Sequence, residues 1–270
     1  MSRDRVQITR HFVAVRQGML HYADAGEGEP VLLLHQTPRS WNEFREVLPL
    51  LGTHRRAIAM DTLGYGDSSA LPPGQDTIEA WAEAALAMLD ALGIDQTHVV
   101  GHHTGAVIAT HMAASAPERI RSAVLSSCPF DDAEERADHL RGRAVVDDAD
   151  RRPDGSHLLE LWGMRAPFYP PEDVDLLEGY LIDALKAGPR AAEGHRVVAR
   201  YDMELAVRHI RCPVLLIGAT DDPHAYPALA RLRVALPQAQ VQEIGGGMVP
   251  LPDQLPARFA AAVTRFLDQL

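Results

Sequence analysis

The stretch Val99-Val100-Gly101-His102-His103-Thr104-Gly105 constrains this chain more than any other. An apolar run meets a glycine, two histidines and a second glycine before a segment with helical spacing that continues to about Ala114. Such a pattern predicts a strand that turns sharply into a helix, with glycines where backbone must pass close to backbone. His103 stands at the tip of the turn. A strained tip is a poor place for a packing residue, so the imidazole reads as chemistry.

The rest of the chain repeats that strand–helix rhythm. Residues 11–24 alternate as two short strands around Gln17-Gly18, a hairpin signal. Val31–Leu34, Arg56–Met60, His98–Val100 and Ser122–Leu125 are short apolar runs, as expected of strands covered on both faces. Trp41 to Leu51 has helical spacing, and Ile78 to Leu92 is amphipathic, with Asp76-Thr77 before it and Gly93 after it. Residues 130–208 are polar, rich in Asp and Arg, and carry no strand signal. The rhythm resumes with a strand at Pro213–Gly218, a helix near Pro227–Leu236, a strand at Val241–Ile244 and a helix at Pro256–Leu270. This order predicts an α/β architecture, with a core built from residues 1–129 and 209–270 and a helical cap at 130–208.

Composition narrows the partners. A net charge of −11 with no basic cluster argues against nucleic acid and anionic membrane surfaces. Lys186 is the one lysine; the other cations are arginine, which we read as compositional bias. No apolar run reaches the roughly 18 residues needed to cross a bilayer, and Met-Ser-Arg-Asp-Arg is not an apolar leader. Cys128 and Cys212 are too few for a disulfide framework and read as core thiols. A cytoplasmic protein acting on a small molecule is expected, with homo-oligomerisation left open.

Four segments together resemble the α/β-hydrolase superfamily, over roughly residues 11–128 and 211–270. Leu34-His35-Gln36-Thr37-Pro38 is similar to its oxyanion loop. Asp61-Thr62-Leu63-Gly64-Tyr65-Gly66-Asp67-Ser68 is similar to its D-x-x-G-x-G-x-S loop. Residues 101–105 resemble its nucleophile elbow, and Gly218-Ala219-Thr220-Asp221-Asp222-Pro223 the segment carrying its acid. The resemblance implies a mostly parallel eight-stranded sheet flanked by helices, with the cap inserted after strand 6. It also implies the chain order nucleophile, acid, histidine.

Two departures from that family pattern stand out. The elbow slot, where Ser, Cys or Asp is expected, holds His103, and the slot for the family's histidine holds Gly247, in Gly245-Gly246-Gly247-Met248-Val249-Pro250. Read together, they suggest one relocated base. Gly247 leaves the usual imidazole's volume open, and His103 reaches into it from the elbow. The acid is then Asp222, with Asp221 as runner-up and Asp131 or Asp132, after strand 6, as a further alternative. A His103–Asp222 dyad can activate water or remove a proton from carbon. By resemblance the amides of Thr37 and Thr104 form the oxyanion hole. Hydrolysis of an ester, lactone or activated C–C bond is the first expectation. A lyase, isomerase or cyclase using the same base, and a non-catalytic binding protein, are the alternatives.

Several other residues carry two readings. Gln36 either enters the pocket to bind substrate or points to solvent. Arg39 either neutralises a substrate carboxylate or is an exposed loop arginine. Trp162, Met164, Phe168, Tyr169 and Tyr180 either line the pocket or pack between cap helices. His35 and His102 read as hydrogen-bonded structural residues, and Trp41 and Tyr65 as packing. Ser126 and Ser127 lack an elbow and are not expected to be nucleophiles. His98, His102, His103 and His111 match no zinc spacing, so neither metal nor cofactor is expected.

Overall fold

The computed structural model of the chain describes residues 6–131, 133–140 and 147–270. Among these, eight strands form one sheet: β1 (Thr9–Val15), β2 (Gly18–Ala25), β3 (Pro30–Leu34), β4 (Arg56–Met60), β5 (Thr97–His102), β6 (Ile120–Ser126), β7 (Val214–Ala219) and β8 (Gln240–Ile244). Their order is β1-β2-β4-β3-β5-β6-β7-β8. β2 runs antiparallel to β1 and β4, and the remaining pairs are parallel.

The central strands are apolar throughout because both faces are covered. In β3, Leu32 and Leu34 join one apolar cluster while Val31 and Leu33 join another, as alternation along a strand requires. The first cluster takes in the inner faces of α2 (Ile78–Ala91) and α3 (Thr104–Ser115). The second takes in α1 (Leu48–Leu51) and a C-terminal helix, Pro256–Leu267. Thr77 caps α2, its side chain accepting from the Ala80 amide at 3.1 Å. The expected helix from Trp41 to Leu51 is instead a 3₁₀ turn at Trp41–Phe44 followed by α1. Pro49 has no N–H to continue a helix through this stretch but suits the first turn of a new one.

Between β6 and β7 the chain makes a helical excursion: α4 (Ala133–Leu140), α5 (Ser156–Arg165), α6 (Val174–Ala187), α7 (Glu193–Arg200) and α8 (Met203–Val207). Tyr169, Leu177, Tyr180 and Val197 bury against the first apolar cluster. Beyond β7 come α9 (Leu229–Ala235), α10 (Leu251–Gln254) and α11 (Pro256–Leu267). No helix among the described residues is long and apolar enough to cross a membrane.

Two glycines set the tip of β5. A Cβ on Gly101 would lie 2.1 Å from the Gly105 carbonyl oxygen, and one on Gly105 would lie 1.9 Å from the Leu34 carbonyl oxygen. The start of α3 thus presses directly on the end of β3. The Asp61 loop is fixed in a similar way. The buried Asp61 carboxylate accepts from the Trp41 amide at 2.6 Å, the Asp67 amide at 2.8 Å and His21 Nδ1 at 2.7 Å. Gly66 leaves room for that carboxylate, which a Cβ would approach to 2.1 Å.

The packing at Gly105 yields the first prediction. Gly105→Ala must displace backbone and is expected to cost about 3 kcal/mol, read from the midpoint of urea unfolding. A loss within about 0.5 kcal/mol, the range of ordinary surface changes, would contradict the close contact.

Candidate functional site

The turn after β5 places His103 at φ 47° and ψ −115°, a left-handed conformation for a non-glycine residue. Strain of this kind persists where the surroundings over-determine it, and here Gly101 and Gly105 do so. His103 caps α3, whose first amides have no carbonyl within the helix to donate to.

His103 Nε2 lies 2.8 Å from Asp222 Oδ2, with the Asp222 side chain fully buried and His103 12 % exposed. The two atoms meet at ion-pair distance but off the line of a straight hydrogen bond, and neither has another partner. Asp222 follows β7, and its Oδ1 accepts from the amides of His224 and Ala225 at 3.0 and 3.1 Å. Burial works to raise the Asp222 carboxyl, but the His103 charge and these amides outweigh it and hold it well below the usual carboxylate range. His103 Nδ1 has no hydrogen bond to protein among the described residues.

The competing acids are elsewhere. Asp221 is exposed, with its carboxylate accepting from Thr220 Oγ1 at 2.8 Å. Asp131 is half-buried, and Asp132 lies outside the described residues. Gly247 does follow β8, but its volume is not open as expected. A Cβ there would meet Leu251 Cδ1 at 2.7 Å, the Ile244 carbonyl at 3.1 Å and Ala219 Cβ at 3.2 Å. Leu251 occupies the space.

Thr37 and Thr104 are brought together, their hydroxyls 2.8 Å apart. α7 closes over them, since a Cβ on Gly194 would stand 1.9 Å from Thr37 Oγ1. The centre is therefore enclosed. Two open surface grooves, of about 610 Å³ between α1 and α11 and about 530 Å³ between α8 and α9, have neither His103 nor Asp222 in their walls.

Neighbouring histidines take structural roles. His35 Nδ1 donates to the Gln36 carbonyl at 2.7 Å and Nε2 accepts from the Thr62 amide at 3.0 Å. His102 Nε2 donates to the Val249 carbonyl at 2.8 Å, and burial with the nearby His103 charge lowers its pKa to about 3. His98 bonds Ser122 and His111 bonds Tyr201, so the four rings of this stretch have separate partners. Another trio, His21, Asp61 and Asp67, gathers near the β1–β2 hairpin. Its ligand atoms are already taken up by one another and by Arg10 and Lys186. Ser127, which has no elbow motif around it, has φ 44° and a buried hydroxyl without a partner.

This fold has known relatives. Residues 29–146 match the family described as alpha/beta hydrolase fold. Over 96 % of its length the chain superposes on all of the enol-lactonase from Burkholderia xenovorans LB400, with a TM-score of 0.79 at 22 % identity. It matches an epoxide hydrolase from an endophytic Streptomyces equally well, at 0.79 and 23 % identity, over 97 % of this chain and 95 % of that one. The chain has the α/β-hydrolase fold. In sequence it is 33 % identical to bifunctional epoxide hydrolase 2 of Sus scrofa over 132 residues, 48 % of this chain and 24 % of that protein. It is 38 % identical to 2-hydroxymuconate semialdehyde hydrolase of Pseudomonas sp. (strain CF600) over 105 residues, 38 % of this chain and 37 % of that one. The chain thus spans about a quarter of the first curated relative's length.

Two of the three residues expected to meet substrate, Gln36 and Arg39, are held by buried carboxylates. Gln36 neither enters a pocket nor faces solvent: it is buried, with its amide N–H donating to Glu43 Oε2 at 2.9 Å and its side chain to Glu43 Oε1 at 2.5 Å. Arg39 is no exposed loop residue; it is buried between Asp183 on α6, at 2.9 Å, and Asp253 on α10, at 2.7 Å. Trp162 is half-buried on α5 and packs on the first apolar cluster. Conversely, His224, His195, Arg165 and Asp147 stand near the centre without any motif in the sequence to announce them.

Burial pushes the Glu43 carboxyl up to about 8 and that of Asp253 to about 6, with Arg39 pulling both back. A carboxyl raised above its unfolded value of about 4 contributes stability fully below that value and loses it as pH rises through the folded one. Urea stability is therefore expected to fall from about pH 4 to about pH 8 and to level above it, and Glu43→Gln to flatten the part of that fall above pH 6. An unchanged slope in the variant would remove Glu43 as its source.

Proposed function

We propose that this chain is a cofactor-independent hydrolase of a small carbonyl compound, cleaving an ester, a lactone or an activated C–C bond. His103 is the base and Asp222 its support. The observation that carries this reading is the 2.8 Å contact between His103 Nε2 and the buried Asp222 carboxylate at the strained tip of β5. The buried Asp222 charge 2.8 Å from Nε2 favours the proton on that nitrogen, which leaves Nδ1 as the proton acceptor. An elbow imidazole offers no hydroxyl to acylate, so Nδ1 takes a proton from water as the water oxygen attacks the carbonyl carbon. The Thr37 and Thr104 amides receive the developing oxyanion, the latter at a helix N-terminus whose dipole favours negative charge. The helical excursion serves as the cap over the substrate, with Trp162 in its wall. The relatives' names, epoxide hydrolase, semialdehyde hydrolase and enol-lactonase, support hydrolysis over other uses of the same base.

The test is turnover of an ester and lactone panel by variants whose folding is checked by urea unfolding. His103→Ala is expected to lower kcat/KM by on the order of 10²–10⁴-fold, and Asp222→Asn by a similar factor. Fluorophosphonate should leave the protein unlabelled. Stoichiometric labelling, or turnover that survives in His103→Ala, would overturn the assignment. Inert esters with deuterium exchange at a substrate C–H would move the base to lyase or isomerase chemistry.

Leu251 determines how the usual triad is restored. His103→Ser with Gly247→His should show new fluorophosphonate labelling only when Leu251→Ala clears the 2.7 Å contact. Equal labelling with Leu251 retained would show that the leucine is no obstacle.

A further inference from the structure

A second histidine–carboxylate pair stands in the helical excursion. His195 on α7 places Nε2 2.9 Å from Asp147 Oδ2. Asp147 has a fully buried side chain and sits at φ 76°, a left-handed conformation for a non-glycine residue. Arg165, at the end of α5, brackets the same carboxylate through Nε at 2.6 Å and a second nitrogen, and the Tyr180 hydroxyl of α6 donates to it. Burial works to raise this carboxyl, but Arg165 and His195 hold it well below the usual range. His195 Nε2 stands between the Asp147 carboxylate at 2.9 Å and the Arg165 guanidinium, whose Nη2 is 3.2 Å away. Nδ1 has no protein partner among the described residues, and the ring is 38 % exposed, unlike the three groups that anchor it.

A chain of contacts joins this pair to the first. Gly194, the residue before His195, rests on Thr37, whose hydroxyl is 2.8 Å from that of Thr104, the residue after His103. The His224 ring lies 4.3 Å from Phe168, three residues beyond Arg165, and its amide holds Asp222. His224 feels the charges of Asp222, His103, Arg165 and His195 together, beneath the larger effect of burial. The other charged groups around His195 are Glu193 and Arg196 on its own helix, with Arg196 paired to Asp148.

We propose that His195, oriented by Asp147, is the general acid of the reaction assigned to His103, and that the substrate class is therefore esters or lactones with unactivated leaving groups. The step rests on the hydrolase reading above. His103 takes a proton from water as the water oxygen bonds to the carbonyl carbon, giving an oxyanion. The oxyanion re-forms the carbonyl and the bond to the leaving group breaks with its electron pair. His195 Nδ1–H supplies the proton that the leaving oxygen needs. The proton gained by His103 and the one lost by His195 exchange through water. A lone base at the elbow must serve both ends of the reaction in turn; two pairs divide the work.

His195→Gln tests this, because the amide can still donate to Asp147. On alkyl esters the variant is expected to lose about 100-fold in kcat/KM and the alkaline limb of its pH profile. On p-nitrophenyl esters, whose leaving group needs no proton, it should lose less than about threefold. Equal losses on both classes would make His195 a structural prop and overturn the proposal. The His103→Ala measurement on the same panel reports separately on the hydrolase reading. If the wild type hydrolyses neither class, histidine NMR titration decides whether the two rings share one site. His103→Ala should then shift the His195 midpoint by at least about 0.3 pH unit, as two charges in one site require. An unmoved midpoint would overturn the proposal whether or not His195→Gln folds.

Discussion

The contact between the first turn of α3 and the end of β3 sets everything around it. Because Gly105 touches the Leu34 carbonyl and Gly101 touches Gly105, the chain has one way to leave β5. That route lifts position 103 into a left-handed conformation above the sheet and lays Thr104 beside Thr37. Side-chain chemistry at 103 is open to change while its location is not. The fold therefore supplies a place, and the residue there decides what the place does.

Buried carboxylates give the second organising rule. Asp222, Asp147, Asp183 and Asp61 are each withdrawn from water, and each meets His or Arg: His103, Arg165 with His195, Arg39, and His21. Removing one partner of such a pair leaves a charge that burial penalises heavily. Two of these pairs also fasten layers together. Arg39 ties the loop after β3 to α6, and Asp147 gathers α5, α6 and α7 around one carboxylate. The helical excursion is held to the sheet by packing and by such ion pairs.

The strands and long helices were legible because their apolar periodicity is strong. Val31–Leu34 and Val99–Val100 could be little else. The His103–Asp222 contact was legible through two departures from a family pattern. Other features were not. Pro49 divides a stretch with good helical spacing, which a count of apolar positions misses. Gln36 and Arg39 sit in a loop where spacing says nothing of direction, and Glu43 and Asp183 claim them. Asp147 and His195 are 48 residues apart in an irregular segment and a short polar helix, so no period or motif joins them. Leu251 filling the space at Gly247 is a packing response, which a sequence does not display.

That last feature ties the two unusual positions, 103 and 247, to one another. Serine alone at 103 leaves the buried Asp222 without its ring partner. A histidine arriving alone at 247 collides with Leu251 and finds Asp222 already claimed. Positions 103, 222, 247 and 251 are thus coupled through direct contact, so the chemistry at the elbow and the packing beside β8 answer to one another.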